Sequence, residues 1–162
     1  MLPKGPHCKG CPLEFIGEGF VPPQGVGHVL LCGEAPGETE AKLGVPFMGM
    51  AGAYLDRTLG RIGVSRSAFT ITNTIWCRPP HNVIKGWELA QRHCAEKYLL
   101  PLVHERKPRA IVALGGEAMT VLTGYEGIFK SRGYIVNGPE GIPTIGTFHP
   151  AYLCLALIDP LV

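Results

Sequence analysis

The chain is short of charge. Asp, Glu, Lys and Arg make up 17% of its 162 residues, and the formal net charge is only +2. Bulk charge therefore gives no argument for nucleic acid, and a phosphate-binding face has to come from local clustering. A run of about eighteen apolar residues, the minimum for a membrane-spanning helix, is also missing. The first residues hold Cys8 and Cys11 in a Gly/Pro-rich stretch without an apolar signal core, so no secretory leader is expected. No internal repeat is evident. The glycine turn at residues 33–37 is not followed by Gly-Lys-Ser/Thr, which disfavours a P-loop and nucleoside triphosphate hydrolysis.

What is present is enough for one compact domain. Hydrophobic residues make up 46% of the sequence, and its 22 glycines and 15 prolines fall at the ends of apolar runs, where turns are expected. Six cysteines could form three disulfides, but a core-rich chain of this size without a leader fits better a reduced, cytoplasmic setting with metal-bound thiolates. Cys8 and Cys11 are separated by two residues. Cys77 and Cys94 lie far downstream with sixteen residues between them. The arrangement describes four thiolates brought to one point by folding, a set that binds zinc or an iron–sulfur cluster. Cys32 and Cys154 lie in apolar surroundings and read as small core residues.

Residues 1–27 read as an irregular, metal-clipped segment. His28 to Cys32 is an apolar run without alternation, the mark of a strand buried on both faces. Leu55, Leu59 and Ile62 recur at helical spacing and predict a helix from Ala51 to Ile62, closed by Gly63. Phe69 to Trp76 reads as a strand and Trp87 to Glu105 as a long helix bent at Pro101. Ala110 to Leu114 is a second buried strand, followed by a helix to about Leu122, and Ile142 to Phe148 is the last strand. Strands alternating with helices predict a four-stranded parallel sheet with helices on both faces. Ligands of such sheets bind beyond the carboxyl ends of the strands, here Gly33, Asn73 to Trp76, Gly115 and His149.

Four features stand at those ends. Gly33 to Gly37 (G-E-A-P-G) is a sharp turn whose amides can face an anion or a carbonyl, or an ordinary strand–helix connection. Phe47, between Pro46 and Gly49, can offer its ring to a flat ligand or fill the core. Asn73 is a poor strand former whose carboxamide can both donate and accept, as reading a pyrimidine edge requires, or can tie two loops together. His149, followed by Pro150, is aimed into the crevice, where it can meet a developing negative charge or serve, as lone histidines more often do, as a structural residue. The other five histidines read as structural.

Taken in order, these segments resemble the family 4 uracil-DNA glycosylases, the iron–sulfur branch of that superfamily. The resemblance covers nearly the whole chain. It rests on Gly33-Glu34-Ala35-Pro36-Gly37-Glu38, Pro46-Phe47-x-Gly49-x-Ala51-Gly52, Thr72-Asn73-x-x-x-Cys77-Arg78-Pro79-Pro80, Leu114-Gly115-Gly116 and Thr147-Phe148-His149-Pro150-Ala151-Tyr152-Leu153. It implies a three-layer αβα fold around a four-stranded parallel sheet and a [4Fe–4S] cluster on Cys8, Cys11, Cys77 and Cys94, with zinc as the alternative. It also implies a monomer that hydrolyses the N-glycosidic bond of uracil flipped out of single- or double-stranded DNA, leaving an abasic site. The backbone at Gly33, Glu34 and Ala35 is expected against the uracil carbonyls, with Phe47 stacked on the ring, Asn73 on its polar edge and His149 at O2. His149, Glu34 and Asn73 are the expected catalytic residues.

The segment from Ala151 to Leu155 resembles a loop that enters DNA, with Tyr152 or Leu153 as a wedge. Lys42, Lys85, Lys130 and Arg132 are candidates for phosphate contact. Ala35 stands where other families of the superfamily carry a water-holding Asp or Asn, which leaves the base open, with Glu38 and Glu40 nearby. The Cys77–Cys94 interval is one residue longer than the family pattern, and Leu155 replaces an arginine. Relatives continue beyond Val162 into a closing helix, so the expectation is a single domain over residues 1–162, truncated at its C-terminus. Two rival readings are a catalytically silent, cluster-stabilised nucleic-acid-binding module and a zinc-stabilised structural domain.

Overall fold

The computed structural model describes residues 4–158. Five strands form one sheet: β1 (Val29–Gly33), β2 (Phe69–Asn73), β3 (Ala110–Leu114), β4 (Ile135–Asn137) and β5 (Pro143–Thr147), in the spatial order β2-β1-β3-β5-β4. The first four positions in that order are parallel, and β4 pairs antiparallel with β5. The expected four-stranded parallel sheet is therefore present but extended by an antiparallel edge strand. Three residues long and set between Gly133 and Gly138, β4 is too short to carry a periodic signal.

The sheet is buried on both faces, and the side chains alternate accordingly. Leu30 and Cys32 of β1, with Ile111 and Ala113 of β3, pack into a core with Leu99, Val103 and Met119. Leu31, Ile71 and Leu114 point the other way, onto Phe47, Leu55 and Leu59. The first layer is built by α3 (Glu88–Cys94), a π-helical turn (Ala95–Leu99), α4 (Leu100–Arg106) and α5 (Gly116–Thr123). The second contains α2 (Met50–Arg61), against which α7 (Pro150–Ile158) packs. Short helices α1 (Glu38–Leu43) and α6 (Ile128–Ser131) sit in the connections. The expected three-layer αβα architecture is thus observed.

The boundaries differ from expectation in three places. The long helix runs from Glu88 to Arg106 and shifts register through one π turn just before Pro101, whose missing N–H cannot serve a regular ladder. The strand starting at Phe69 ends at Asn73, because residues 74 and 75 turn to bind the backbone of residues 33 and 34. Ala151 to Leu155 lies within α7 and is not a loop; Pro150 occupies a first-turn position, where a proline is well tolerated. The terminal residues 159–162, on which the expected truncation bears, lie outside the described residues.

The N-terminal segment is not free of order. Glu18 bridges Arg78, Gln24 bridges Ile71, and the amide of Val21 donates to Trp76 O at 2.7 Å. It runs antiparallel to β2 and its continuation, covering an edge that would otherwise be open.

Candidate active site and thiolate pocket

The carboxyl ends of β1, β2 and β5 converge on one cleft of about 480 Å³. Glu34, Ala35, Phe47, Asn73 and His149 all line it. Gly33 is not itself among the lining residues, but by lacking a side chain it leaves room for two that are. A Cβ there would stand 2.5 Å from Phe47 Cζ and 2.6 Å from Asn73 Oδ1. The turn after β1 is braced from β2: Thr74 N donates to Gly33 O at 2.9 Å, Ile75 N to Glu34 O at 3.0 Å, and Thr74 Oγ1 to Glu34 O at 2.7 Å. Gln91 on α3 donates in turn to Thr74 Oγ1 at 3.1 Å.

Phe47 is buried, its ring centroid 5.9 Å from that of His149 and tilted by 32°. Its backbone is left-handed, with φ of 56°, a conformation that costs a non-glycine residue about 1–2 kcal/mol. Strain of this kind gathers where a side chain has to be aimed. Asn73, also buried, offers its carboxamide to the cleft.

His149 is half-buried just before α7, and its ring has a defined role on each side. The amide of Ala151 donates to Nδ1 at 3.1 Å. Nδ1 is therefore the acceptor, and the neutral ring carries its proton on Nε2. Burial lowers the His149 pKa below the usual imidazole range, against an opposing pull from the Glu40 carboxylate. The imidazole is thus neutral near pH 7 and can still donate. Glu34 is shifted the other way: burial, with a smaller contribution from Glu117, raises its carboxyl pKa.

Asn82, absent from the candidates above, lines the same cleft with φ of 58° and accepts from Arg78 Nε at 2.6 Å. Its place in C-R-P-P-H-N, just past a metal-ligand candidate, was the available signal. Cys154 is not a core residue as expected. It is half-buried and lines the cleft, because α7 turns this face toward Met50. All four proposed phosphate contacts, Lys42, Lys85, Lys130 and Arg132, are exposed, and Lys42 also pairs with Glu38 at the surface. Beside the cleft Phe129, Phe148 and Tyr152 form an aromatic cluster, with Arg132 4.7 Å above the Phe148 ring.

Cys8, Cys11, Cys77 and Cys94 line a second, smaller pocket with Phe20, Trp76, His93 and Tyr98. All four are free thiols. Burial pushes Cys77 up to about 11 and Cys94 well above the usual thiol range, and neighbouring cysteines add to both shifts. Four sulfurs crowded in an apolar pocket are disfavoured as thiolates unless a positive centre joins them. The surroundings already fit sulfur. A Cβ on Gly17 would come 2.7 Å from Cys77 Sγ, the amide of Trp76 lies 3.3 Å from Cys94 Sγ, and Tyr98 Oη is 3.5 Å from Cys8 Sγ. Among the described residues no three His, Cys, Asp or Glu side chains are positioned to grip a metal ion as they stand. The pocket gathers the four sulfurs without closing them on one point. The residues fit an all-sulfur soft-metal group in donor chemistry.

A cleft with an aromatic floor, a carboxamide and a neutral imidazole donor suits a flat heterocycle that gains negative charge. Comparisons with known proteins point the same way. The family model described as Uracil DNA glycosylase superfamily matches residues 19–156. A type-4 uracil-DNA glycosylase of Thermotoga maritima is 36% identical over 154 residues, covering 90% of this chain and 77% of that protein. One from Pyrobaculum aerophilum is 40% identical over 111 residues, covering 67% of this chain and 56% of that protein. One from Saccharolobus solfataricus is 33% identical over 165 residues, covering 94% and 74%.

Proposed function

The chain belongs to the type-4 uracil-DNA glycosylases of the uracil DNA glycosylase superfamily, and from that premise we propose that it excises uracil from DNA by hydrolysing the N-glycosidic bond. The observation that carries the reading is the shared cleft of Phe47, Asn73 and His149 beyond the strand ends.

A base stacked in a duplex is out of reach, so the nucleotide is flipped into the cleft at a cost of a few kcal/mol. Phe47 then stacks on the uracil, Asn73 pairs with its polar edge, and the backbone of Gly33 to Ala35 meets its carbonyls. The C1′–N1 bond breaks with its electron pair leaving on uracil, so positive charge builds on the sugar and negative charge on the base. Nε2–H of His149 donates to O2. It donates more strongly as the anion forms, and so favours the transition state over the ground state. Water adds to C1′ and gives up a proton, leaving free uracil and an abasic site. Glu34, which lines the cleft, is the group proposed to hold that water. Lys85, Lys130 and Arg132 contact phosphates, and the Phe148–Tyr152 edge of the aromatic cluster meets the bases around the gap.

Cys8, Cys11, Cys77 and Cys94 are proposed to hold a [4Fe–4S] cluster. When bound, the cluster supplies positive iron centres that keep the four sulfurs as thiolates. Its effect on the cleft is mechanical: Thr74 and Gln91 each lie three residues before a ligand, and together they brace the turn at Glu34. The enzyme is proposed to work as a monomer in the cytoplasm. Among the described residues no helix is long and apolar enough to cross a membrane.

Release of free uracil from a uracil-containing oligonucleotide tests the proposal. Binding of that oligonucleotide without any release would leave the chain a silent binding module. Visible iron–thiolate absorbance in anaerobically purified protein supports the cluster, and a colourless protein that holds zinc would replace it.

A further inference from the structure

Glu40 and Arg66 lie outside the groups assigned to uracil, yet both end on the four residues that carry the aromatic plate. Glu40 is buried, with 8% of its surface exposed. Its Oε1 accepts from Met48 N at 2.8 Å and Gly49 N at 2.7 Å, and its Oε2 from Gly37 N at 3.1 Å. One carboxylate thus ties the glycine turn after β1 to the loop that follows Phe47. Arg66 takes the carbonyls of the same segment. Its Nη1 donates to Phe47 O at 3.1 Å and to Asp56 Oδ1 at 2.9 Å, and its Nη2 donates to Pro46 O. The carbonyls of residues 46 and 47 and the amides of residues 48 and 49 are therefore gripped by opposite charges, just where Phe47 is left-handed. Helix α2 packs against the same segment, where a Cβ on Gly52 would fall 1.8 Å from Phe47 O.

We propose that Glu40 and Arg66 are positioning residues, a two-part clamp that holds Phe47 in its strained conformation and so presets the stacking face before the base arrives. The inference rests on the reading that Phe47 stacks on uracil. It also gives Glu40 a task other than that of general base: both carboxylate oxygens already accept backbone amides, which fixes the carboxylate on residues 37, 48 and 49. A planar fork suits Arg66, since a single ammonium cannot serve two adjacent carbonyls and an aspartate with the same geometry.

The test combines single-turnover excision with the inhibition constant of free uracil, for wild type, Phe47→Ala, Arg66→Ala, Arg66→Lys, Glu40→Gln and the double variant Phe47→Ala/Arg66→Ala, with folding checked by circular dichroism. Arg66→Ala is expected to slow excision and weaken uracil binding about ten-fold each, a fraction of what stacking supplies, and Arg66→Lys to recover part of both. In the double variant Arg66→Ala is expected to add almost nothing, since no plate remains to hold. Glu40→Gln is expected to keep the acid limb of the pH–rate profile. If Phe47→Ala weakens uracil binding but Arg66→Ala does not, or if the two losses multiply, the clamp is refuted while stacking stands. Loss of the acid limb in Glu40→Gln would make Glu40 the base. If Phe47→Ala itself leaves uracil affinity unchanged, the stacking assignment falls and takes the clamp with it.

Discussion

Replacing Gly33 by alanine places one methyl group at the meeting point of the two side chains expected to bind the base. Gly33 is not among the residues with positive φ, so alanine meets no backbone penalty there. Its effect has to come from contact. The new Cβ would lie 2.5 Å from Phe47 Cζ and 2.6 Å from Asn73 Oδ1, whereas ordinary contacts begin near 3.4 Å, so each group has to retreat by about 0.8–0.9 Å. A displacement of about 1 Å in a reacting geometry costs roughly a hundred-fold in rate. Overpacking a core costs about 1–3 kcal/mol, equivalent to a fall in Tm of about 3–10 °C for a chain of this size. Against a stability of about 5–15 kcal/mol that leaves the protein overwhelmingly folded, so unfolding cannot account for a hundred-fold loss. Single-turnover excision well below Tm separates the two effects. Gly33→Ala protein that is folded, with the expected fall in Tm, yet excises uracil within about twofold of wild type would refute the placement of Phe47 and Asn73 against the base.

Three further outcomes are expected. Cys94→Ala should abolish the visible iron–thiolate absorbance, lower Tm and slow excision together, because Gln91 and Thr74 lose their anchorage; normal excision by colourless protein would detach the cluster from the cleft. Nitrogen-15 NMR should find His149 as the Nε2–H tautomer with a pKa below 6.5, and a value above 6.5 would contradict the burial argument. The sign for stability follows from linkage: below pH 6.5 the unfolded chain protonates this histidine before the folded one does, so stability falls on acidification through that window and His149→Gln should flatten the fall.

The parts of this protein legible in its sequence are those set by local pattern. The unbroken apolar runs of β1 and β3 announced strands buried on both faces, and the strand ends located the cleft. Strand β4 was hidden because a strand of three residues carries no period, and its place depends on pairing with β5. Helix α7 was obscured by its likeness to a DNA-entering loop, although Pro150 and the apolar run after it are helix-starting signals. The roles of Glu40 and Arg66 were illegible for a different reason. Each is a charged residue in a connection, which ordinarily means a solvated surface, and only the folded backbone of residues 46–49 gives them a task. Cys154 misled because apolar sequence neighbours do not say which face of a helix meets a cleft.

The decisive measurement compares excision with DNA affinity in His149→Ala. Removal of one donor at a forming oxyanion is worth about 10²–10³ in rate, so single-turnover excision should fall by that factor while the dissociation constant for uracil-containing DNA stays within a few-fold. Equal losses in rate and affinity, or a rate near that of wild type, would mean that the imidazole packs the cleft and does not stabilise the departing uracil.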